Sequence, residues 1–474
     1  MTKEMEATTD TMIDAKAIAT LRSRLKGALL QPGEVQYKEA STAWNLYAQQ
    51  RPALVLMAAG VEDIIAAVQF AGDANIGVGV MATGHGVAIP CDGGLLINTS
   101  GLRGVQVDPV SQTAKVEAGA LWKDVIPAAE VHGLAGLVGS APHVGVIGYT
   151  LGGGFGYLGR KYGLNANSVI AADIVTADGK LVHVSADENA ELFRGLKNSG
   201  GNFGVVTSLE FRLYPLAKVY GGAVFYPADN AREALTLYAR WAANLPDEVT
   251  AAFTFMNFPP LPFLPEALRG RSVVIIKGCY CGENPETGEE AFRPVRRELG
   301  PAIMDSFSIM PVAEMDAISK DPVDPMGSLQ YGVLLSDLSD EAIDVFVKTA
   351  GAVPKSLLFF VELRRLGGAL QRDSEQVHFM GNRNARFSMN AIGATATPEM
   401  AAGVSAQLAL LTDATRPFQT GETFLNFIEV SPAIDRVRSA YTAEDWERLV
   451  ALKARYDPTN IFRFNRNIPP QFPA

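Results

Sequence analysis

The sequence predicts an α+β fold in more than one lobe, and three observations carry that reading. A strand–helix–strand unit opens the patterned part of the chain. Hairpins with polar turns follow it, where a doubly wound fold would continue with crossovers. The second half then alternates long apolar runs with amphipathic helical stretches. At 474 residues the chain exceeds what one core organises, so two or three lobes are expected.

Residues 1–10 read as a loose tail and residues 15–29 as a short helix. Residues 53–57 (ALVLM) form a short buried strand. Val61, Ile64, Ile65 and Val68 stand at i, i+3, i+4 and i+7, one face of a helix, and residues 76–81 supply a second strand. So compact a unit implies a right-handed crossover. In VQVDPVSQTAKVEAG two alternating runs flank a polar turn. VIAADIVTADGKLVHVS repeats the pattern, with Asp178-Gly179 supplying the positive-φ turn. Beyond Val219 the runs VYGGAVFY, TAAFTFMNF, RSVVIIKGCYC, SLLFFVELRRL and ARFSMNAIG alternate with AREALTLYARWAANL and a helical stretch over 343–352. They predict a large antiparallel sheet backed by helices on one face, with FPPLPFLPEALRG as an exposed loop. A strand (TFLNFIEV), a helix (AEDWERLVALKARY) and a polar tail close the chain.

Composition excludes several classes. A net charge of −10 without a Lys/Arg-rich run argues against a nucleic-acid partner. Cys91, Cys279 and Cys281 make no framework of bridges. The last two alternate about Tyr280, so they share a strand face and pack. The N-terminal MTKEMEATTDTMIDAKAIA has no apolar core of a signal peptide, and no run approaches about 18 apolar residues. No membrane association, a cytoplasmic location and a monomer or homodimer are therefore expected. No His, Cys or carboxylate cluster has metal-ligand spacing.

The most informative stretch is GSAPHVGVIGYTLGGGFGYLGRKYGL. Gly145, Gly148, Gly152, Gly153, Gly154, Gly156 and Gly159 leave a backbone able to lie against a flat ring or a pyrophosphate. A run of tight turns is the plainer alternative. Gly154, Gly156 and Gly159 also match G-x-G-x-x-G, but polar RKYGLNANS follows where a phosphate-binding helix should begin. A nicotinamide-dependent Rossmann enzyme remains the rival fold.

Four ordered segments resemble the berberine-bridge-enzyme-like branch of the FAD-linked oxidases, in the vanillyl-alcohol oxidase or PCMH-type flavoprotein superfamily. They are ATGHGVAIPCDGGLLINTS, VGVIGYTLGGGFGYLGRKYGL, LFRGLKNSGGNFGVVTSLEFRLYP and LKARYDPTNIFRFNRNIPP. The resemblance implies a PCMH-type FAD-binding domain of two α+β subdomains over 48–218, preceded by an N-terminal tail and helix over 1–47. A substrate domain over 219–415 would roof the flavin, and the segment 416–474 would complete the FAD domain. It implies FAD attached at its 8α carbon to His85, which Gly84 and Gly86 flank. The link would be single, because Ala141 stands where many relatives carry a second, cysteine tether. The implied cofactor contacts are Thr83, Gly84, Gly86, Val87, Ser140, Val144, Gly145, Gly148, Tyr149, Gly152, Gly153, Gly154 and Gly156. Gly204, Val205, Val206, Asn465 and Asn467 complete them. Val144 occupies a gate position that goes with oxygen access, favouring an oxidase over a dehydrogenase.

Two departures stand out. Met81 and Thr83 replace an Arg and a Gly before the histidine. Phe424-Leu425-Asn426 replaces a Tyr-x-Asn pattern whose tyrosine serves as, or helps, the catalytic base. Phe424 and Asn426 are thereby substrate-site candidates. Tyr149, His143, Glu362 and His378 become candidates for accepting a substrate proton, with Arg364 as an activator. Glu362 and Arg364 share a strand face, where a surface ion pair is the alternative. For His143 the alternative is a turn residue, and His132 and His183 read as structural. The implied reaction takes hydride from a small organic substrate (alcohol, sugar, phenol or secondary-metabolite intermediate) to flavin N5, with O2 as acceptor. An amine substrate, which needs no strong base, is the alternative, as is a flavin-containing cyclase or dehydrogenase that uses no O2.

Overall fold

The computed structural model describes residues 13–262, 264–350, 356–372 and 384–471. A four-stranded sheet runs Ala28–Leu30, Leu54–Met57, Leu95–Asn98, Val78–Met81 in spatial order. Leu95–Asn98 pairs parallel with both its neighbours, and Ala28–Leu30 closes one edge antiparallel. Helix Val61–Asp73 buries Ile64, Ala67, Val68 and Ala71 against this sheet. One expectation changes here. The helix predicted over 15–29 stops at Arg24. Leu25 is extended, and the Asp63 carboxylate takes the N–H groups of Lys26 and Gly27 at 2.8 and 2.9 Å, which turns the chain into an edge strand. Leu95–Asn98 lies between the two strands that flank the helix.

A five-stranded antiparallel sheet follows, ordered Val105–Asp108, Thr113–Glu117, Val205–Arg212, Val169–Val175, Leu181–Ser185. Both predicted hairpins form, and Gly179 takes φ +72° in the second turn. Trp122, Phe203 and Phe211 fill its core together with Trp446 of the late helix Ala443–Tyr456.

The third sheet is the predicted large antiparallel one. Lys218–Pro227, Ser272–Tyr280, Val249–Asn257, Leu358–Arg365, Phe387–Ala394 and Ser328–Leu335 lie in that order, and two short strands extend the first edge. Helices Ala231–Ala242, Thr287–Arg297, Asp340–Ala350 and Pro398–Thr415 cover one face, over a core that includes Tyr238, Phe253, Phe292 and Phe346. Val361 and Leu363 point into that core, so strand alternation turns Glu362 and Arg364 to the opposite face, towards the first lobe. Cys279 and Cys281 share that face and pack on Tyr157 and Leu158.

Two features lock the lobes together. The segment around Trp44 pairs with the loop before Ser328: the Trp44 indole N–H donates to Val323 O (3.1 Å), and Met326 N–H donates to Trp44 O (3.2 Å). At the other end, Lys453 has no exposed surface and donates to Asn202 O (2.8 Å) and Phe462 O (3.0 Å) while pairing with Asp457 (2.7 Å). Asp457 in turn accepts the N–H groups of Ile461 and Phe462. TFLNFIEV is not a strand. Residues Leu425–Phe427 make one 3-10 turn, because Thr423 donates its hydroxyl to Gly332 O (2.9 Å) and the next residues turn inward to meet the glycine run.

Candidate active site

The loop after strand Val78–Met81 carries His85. Gly84, at φ +78°, allows the turn, and a Cβ there would sit 2.6 Å from Ala43. That close approach lets Trp44 N–H bond to Thr83 O (2.9 Å) and lays the indole over the imidazole, ring centroids 4.1 Å apart and 21° from parallel. His143 lies beside the stack, its centroid 4.8 Å from that of His85 and 5.9 Å from that of Trp44. Burial first, and His143 second, lower the His85 pKa to about 3, so the ring is neutral. Its Nε2 is buried without a hydrogen-bond partner among the described residues, and so is Nε2 of His143. Trp44 falls within the N-terminal tail and helix of the sequence reading; a tryptophan amid polar residues is the only signal it gives there.

The glycine run divides into two parts. Gly145 and Gly148 head a short helix, and Gly148 is exposed, with nothing within 4 Å of the point a Cβ would occupy. Gly86 is exposed as well, and Val87, Ser140 and Val144 are half-buried. The C-terminal segment meets this loop where Arg466 donates to Gly86 O (3.2 Å), and Asn465 and Asn467 on either side of Arg466 each have a buried Oδ1 lacking a partner among the described residues. Asn465 is oriented by donating to Gly201 O (3.2 Å) and Phe462 O (3.1 Å). Buried polar atoms left open at these positions fit a bound dinucleotide that would satisfy them.

At several of the glycines expected to touch the cofactor, the space a side chain would need is filled by the protein itself: Asn198 at Gly153, Asn426 at Gly152, Tyr149 at Gly154, Val138 O at Gly156 and Val175 O at Gly204. Glycine is required at these positions by close packing within the protein. Val205 and Val206 are likewise buried, in two different cores. Gly159 heads a helix of four residues, so no phosphate-binding helix follows the G-x-G-x-x-G match and the Rossmann alternative falls.

The face of the large sheet turned towards the first lobe carries an ionic cluster. Arg364 Nε and Nη2 donate to Glu362 Oε1 at 3.0 and 2.6 Å, and Lys277 Nζ lies 2.7 Å from Glu362 Oε2. Lys277 also reaches Ser319 Oγ (3.3 Å), which bonds the Tyr157 hydroxyl (2.7 Å). All three charged groups are buried, 7–8% exposed, so this is not the surface ion pair that the sequence allowed. The guanidinium lies over the Phe155 ring at 4.9 Å and near Tyr157 at 5.3 Å. Burial raises the Glu362 pKa, but Arg364 and Lys277 outweigh it and hold the carboxyl at about 2. With both oxygens engaged, Glu362 does not fit the role of proton acceptor. Lys277 was missed because only sheet register joins it to Glu362. Thr254 and Asn390 were also missed. They flank Glu362 on adjacent strands, each with a buried side-chain oxygen lacking a partner among the described residues.

The other predicted chemical groups fare differently. Tyr149 donates its hydroxyl to Leu137 O (3.1 Å), and burial pushes its pKa well above the usual phenol range. It is a structural donor, not a base. Asn426 is not open to a substrate: its oxygen accepts Gly154 N–H (2.9 Å) and its amide donates to Tyr149 O (3.0 Å). Phe424 is buried beside Phe155, centroids 5.6 Å apart. Burial lowers the pKa of His143, and Pro322 O fixes its ring. His183 pairs with Asp173 on the surface (2.7 Å), and His378 lies outside the described residues.

Comparison with known proteins converges on this geometry. The FAD binding domain family matches residues 52–185, and the berberine and berberine-like family matches 422–469. An FAD-linked oxidoreductase of Dictyostelium discoideum is 26% identical over 94% of this chain and 95% of its own length. (R)-6-hydroxynicotine oxidase of Paenarthrobacter nicotinovorans is 27% identical over 94% and 97%. Among solved structures, the glucooligosaccharide oxidase of Acremonium strictum superposes with a TM-score of 0.82 at 22% identity, covering 96% of this chain and 99% of that one. Two family segments, a shared α+β architecture and open buried polar atoms near His85 lead to one assignment. The chain carries the FAD binding domain of the FAD-linked oxidoreductases and a berberine-like C-terminal segment.

Proposed function

We propose that this chain is an oxidase that holds FAD covalently through His85 alone and oxidises a small organic molecule with O2 as acceptor. The observation that carries the proposal is a neutral imidazole whose buried Nε2 has no partner among the described residues, held by the Trp44 stack with His143 beside it. A neutral ring keeps the lone pair that bond formation requires. The Trp44 stack sets the ring plane, and the turn at Gly84 sets its position. Asn465, Asn467 and the backbone at Gly145 and Gly148 offer polar contacts to a dinucleotide. The half-buried Val144 stands at the position that the resemblance links to oxygen access. When bound, FAD supplies the hydride acceptor and the route to O2.

The glucooligosaccharide oxidase is described as carrying a 6-S-cysteinyl, 8α-N1-histidyl FAD. Here Ala141 offers no sulfur for a second link, which supports a single tether. In His85→Ala, acid precipitation should release the flavin into the supernatant, whereas the native protein should give a yellow pellet. Flavin retained in the variant's pellet would place the tether elsewhere.

An amine substrate is a second reading. Phe424, Tyr149 and Glu362 leave no evident proton acceptor, and a neutral amine gives up hydride without one. Peroxide release from amines, and not from alcohols or phenols, would select it.

A further inference from the structure

We infer that the Lys277–Glu362–Arg364 cluster seats an anionic oxygen of the substrate. The preferred substrates would then be small organic anions (carboxylates, or phenols and enols bound ionised) in place of neutral sugars or amines. This specificity rests on the oxidoreductase reading above.

Two cations share one carboxylate, which leaves a surplus positive charge at a place almost closed to solvent. Asp321 is the further carboxylate that acts on both cations. It is partly exposed and pairs with neither among the described residues. Arg364 Nη1 makes no hydrogen bond to any described residue, so the fork presents an open, charged donor. The Thr254 hydroxyl stands on the strand beside Glu362, unpartnered among the described residues and able to donate to an anion. Buried uncompensated charge is costly, and an incoming anion relieves that cost while an ammonium adds to it. Phe155 and Tyr157 flank the guanidinium, with Phe424 behind Phe155, an aromatic setting suited to a ring-bearing acid.

For a phenol or enol the assignment also accounts for the lack of a base among the described candidates. Its hydroxyl gives its proton to water before binding, so that when a hydride leaves a carbon conjugated with the anionic oxygen the O–C bond gains double-bond character and no protein group has to take a proton. FAD, when bound, would supply the hydride acceptor.

Calorimetric titration of the flavin-loaded protein tests the inference with benzoate, 4-nitrophenolate, benzamide and benzylamine. At least one of the two anions should bind at least about tenfold more tightly than the amide and the amine, and the tighter anion identifies the oxygen's source. Arg364→Gln should lower that affinity about tenfold or more and leave benzamide within about twofold. Lys277→Met, which keeps Nη1 but removes the surplus charge, should show a smaller loss. Equal or tighter binding of benzamide or benzylamine by the native protein overturns the inference. So does unchanged anion affinity in a folded Arg364→Gln. If that variant does not fold, native protein against Lys277→Met decides by the same criterion. Flavin content, read from absorbance after unfolding, separates the two readings. Colourless native protein defeats the oxidoreductase assignment, and yellow protein indifferent to charge defeats this one.

Discussion

Two ionic clusters are buried in this molecule, and they differ in how completely they are satisfied. At Lys453 the ammonium has three protons and three acceptors, Asp457, Asn202 O and Phe462 O, and charge is balanced one to one. At Glu362 two cations flank one carboxylate, and a guanidinium nitrogen and two neighbouring side-chain oxygens stay open among the described residues. The first cluster has nothing left to offer a ligand. The second does. Closed networks fix the position of a chain segment, while open ones at the same depth mark where another molecule is expected.

The sharpest way to break this contrast is to open the closed cluster. Lys453→Met leaves Asp457 charged and buried, and should cost about 3–5 kcal/mol of stability. Denaturant melts would show it; a loss below about 1 kcal/mol would mean that water reaches the pair. Next, Glu362→Gln leaves Lys277 and Arg364 as facing like charges, for a loss of about 3 kcal/mol. Lys277→Met should cost less, about 1–2 kcal/mol, because Glu362 keeps Arg364. Reversed order of these two would show that Arg364 contributes little.

The smallest effect is the pH dependence. Glu362 titrates at about 2 in the fold against an ordinary 4.5, so the unfolded chain binds the proton first. Its stabilisation is complete above pH 4.5 and declines as pH falls towards 2. The stability gap between native protein and Glu362→Gln should therefore stay constant from about pH 7 to about pH 5 and narrow below that. A gap independent of pH down to about 3 would remove charge from the explanation.

Much of this was legible locally. The Asp178-Gly179 turn, the 3.6-residue spacing from Val61 and the alternation about Tyr280 each depend on neighbours in sequence, and each is seen in the structure. What was illegible depends on pairing at a distance. TFLNFIEV has the composition of a strand, yet Asn426 is drawn to Gly154 and Tyr149, far earlier in the chain, and the backbone coils into a turn. The glycines at 152–156 read as an open cradle because sequence shows a missing side chain but not what fills its place. Lys277 and Glu362 meet across a strand between them, so their pairing could not be read before the register was known.

Asn426 has a consequence for biogenesis. The backbone of Gly154 and Tyr149 is bonded to a side chain from the berberine-like segment, and Asn465 of the same segment bonds Gly201 O. A chain that ends after the FAD-domain segment lacks these contacts. Flavin capture is therefore expected to follow docking of the last part of the chain, and products truncated before it should be colourless.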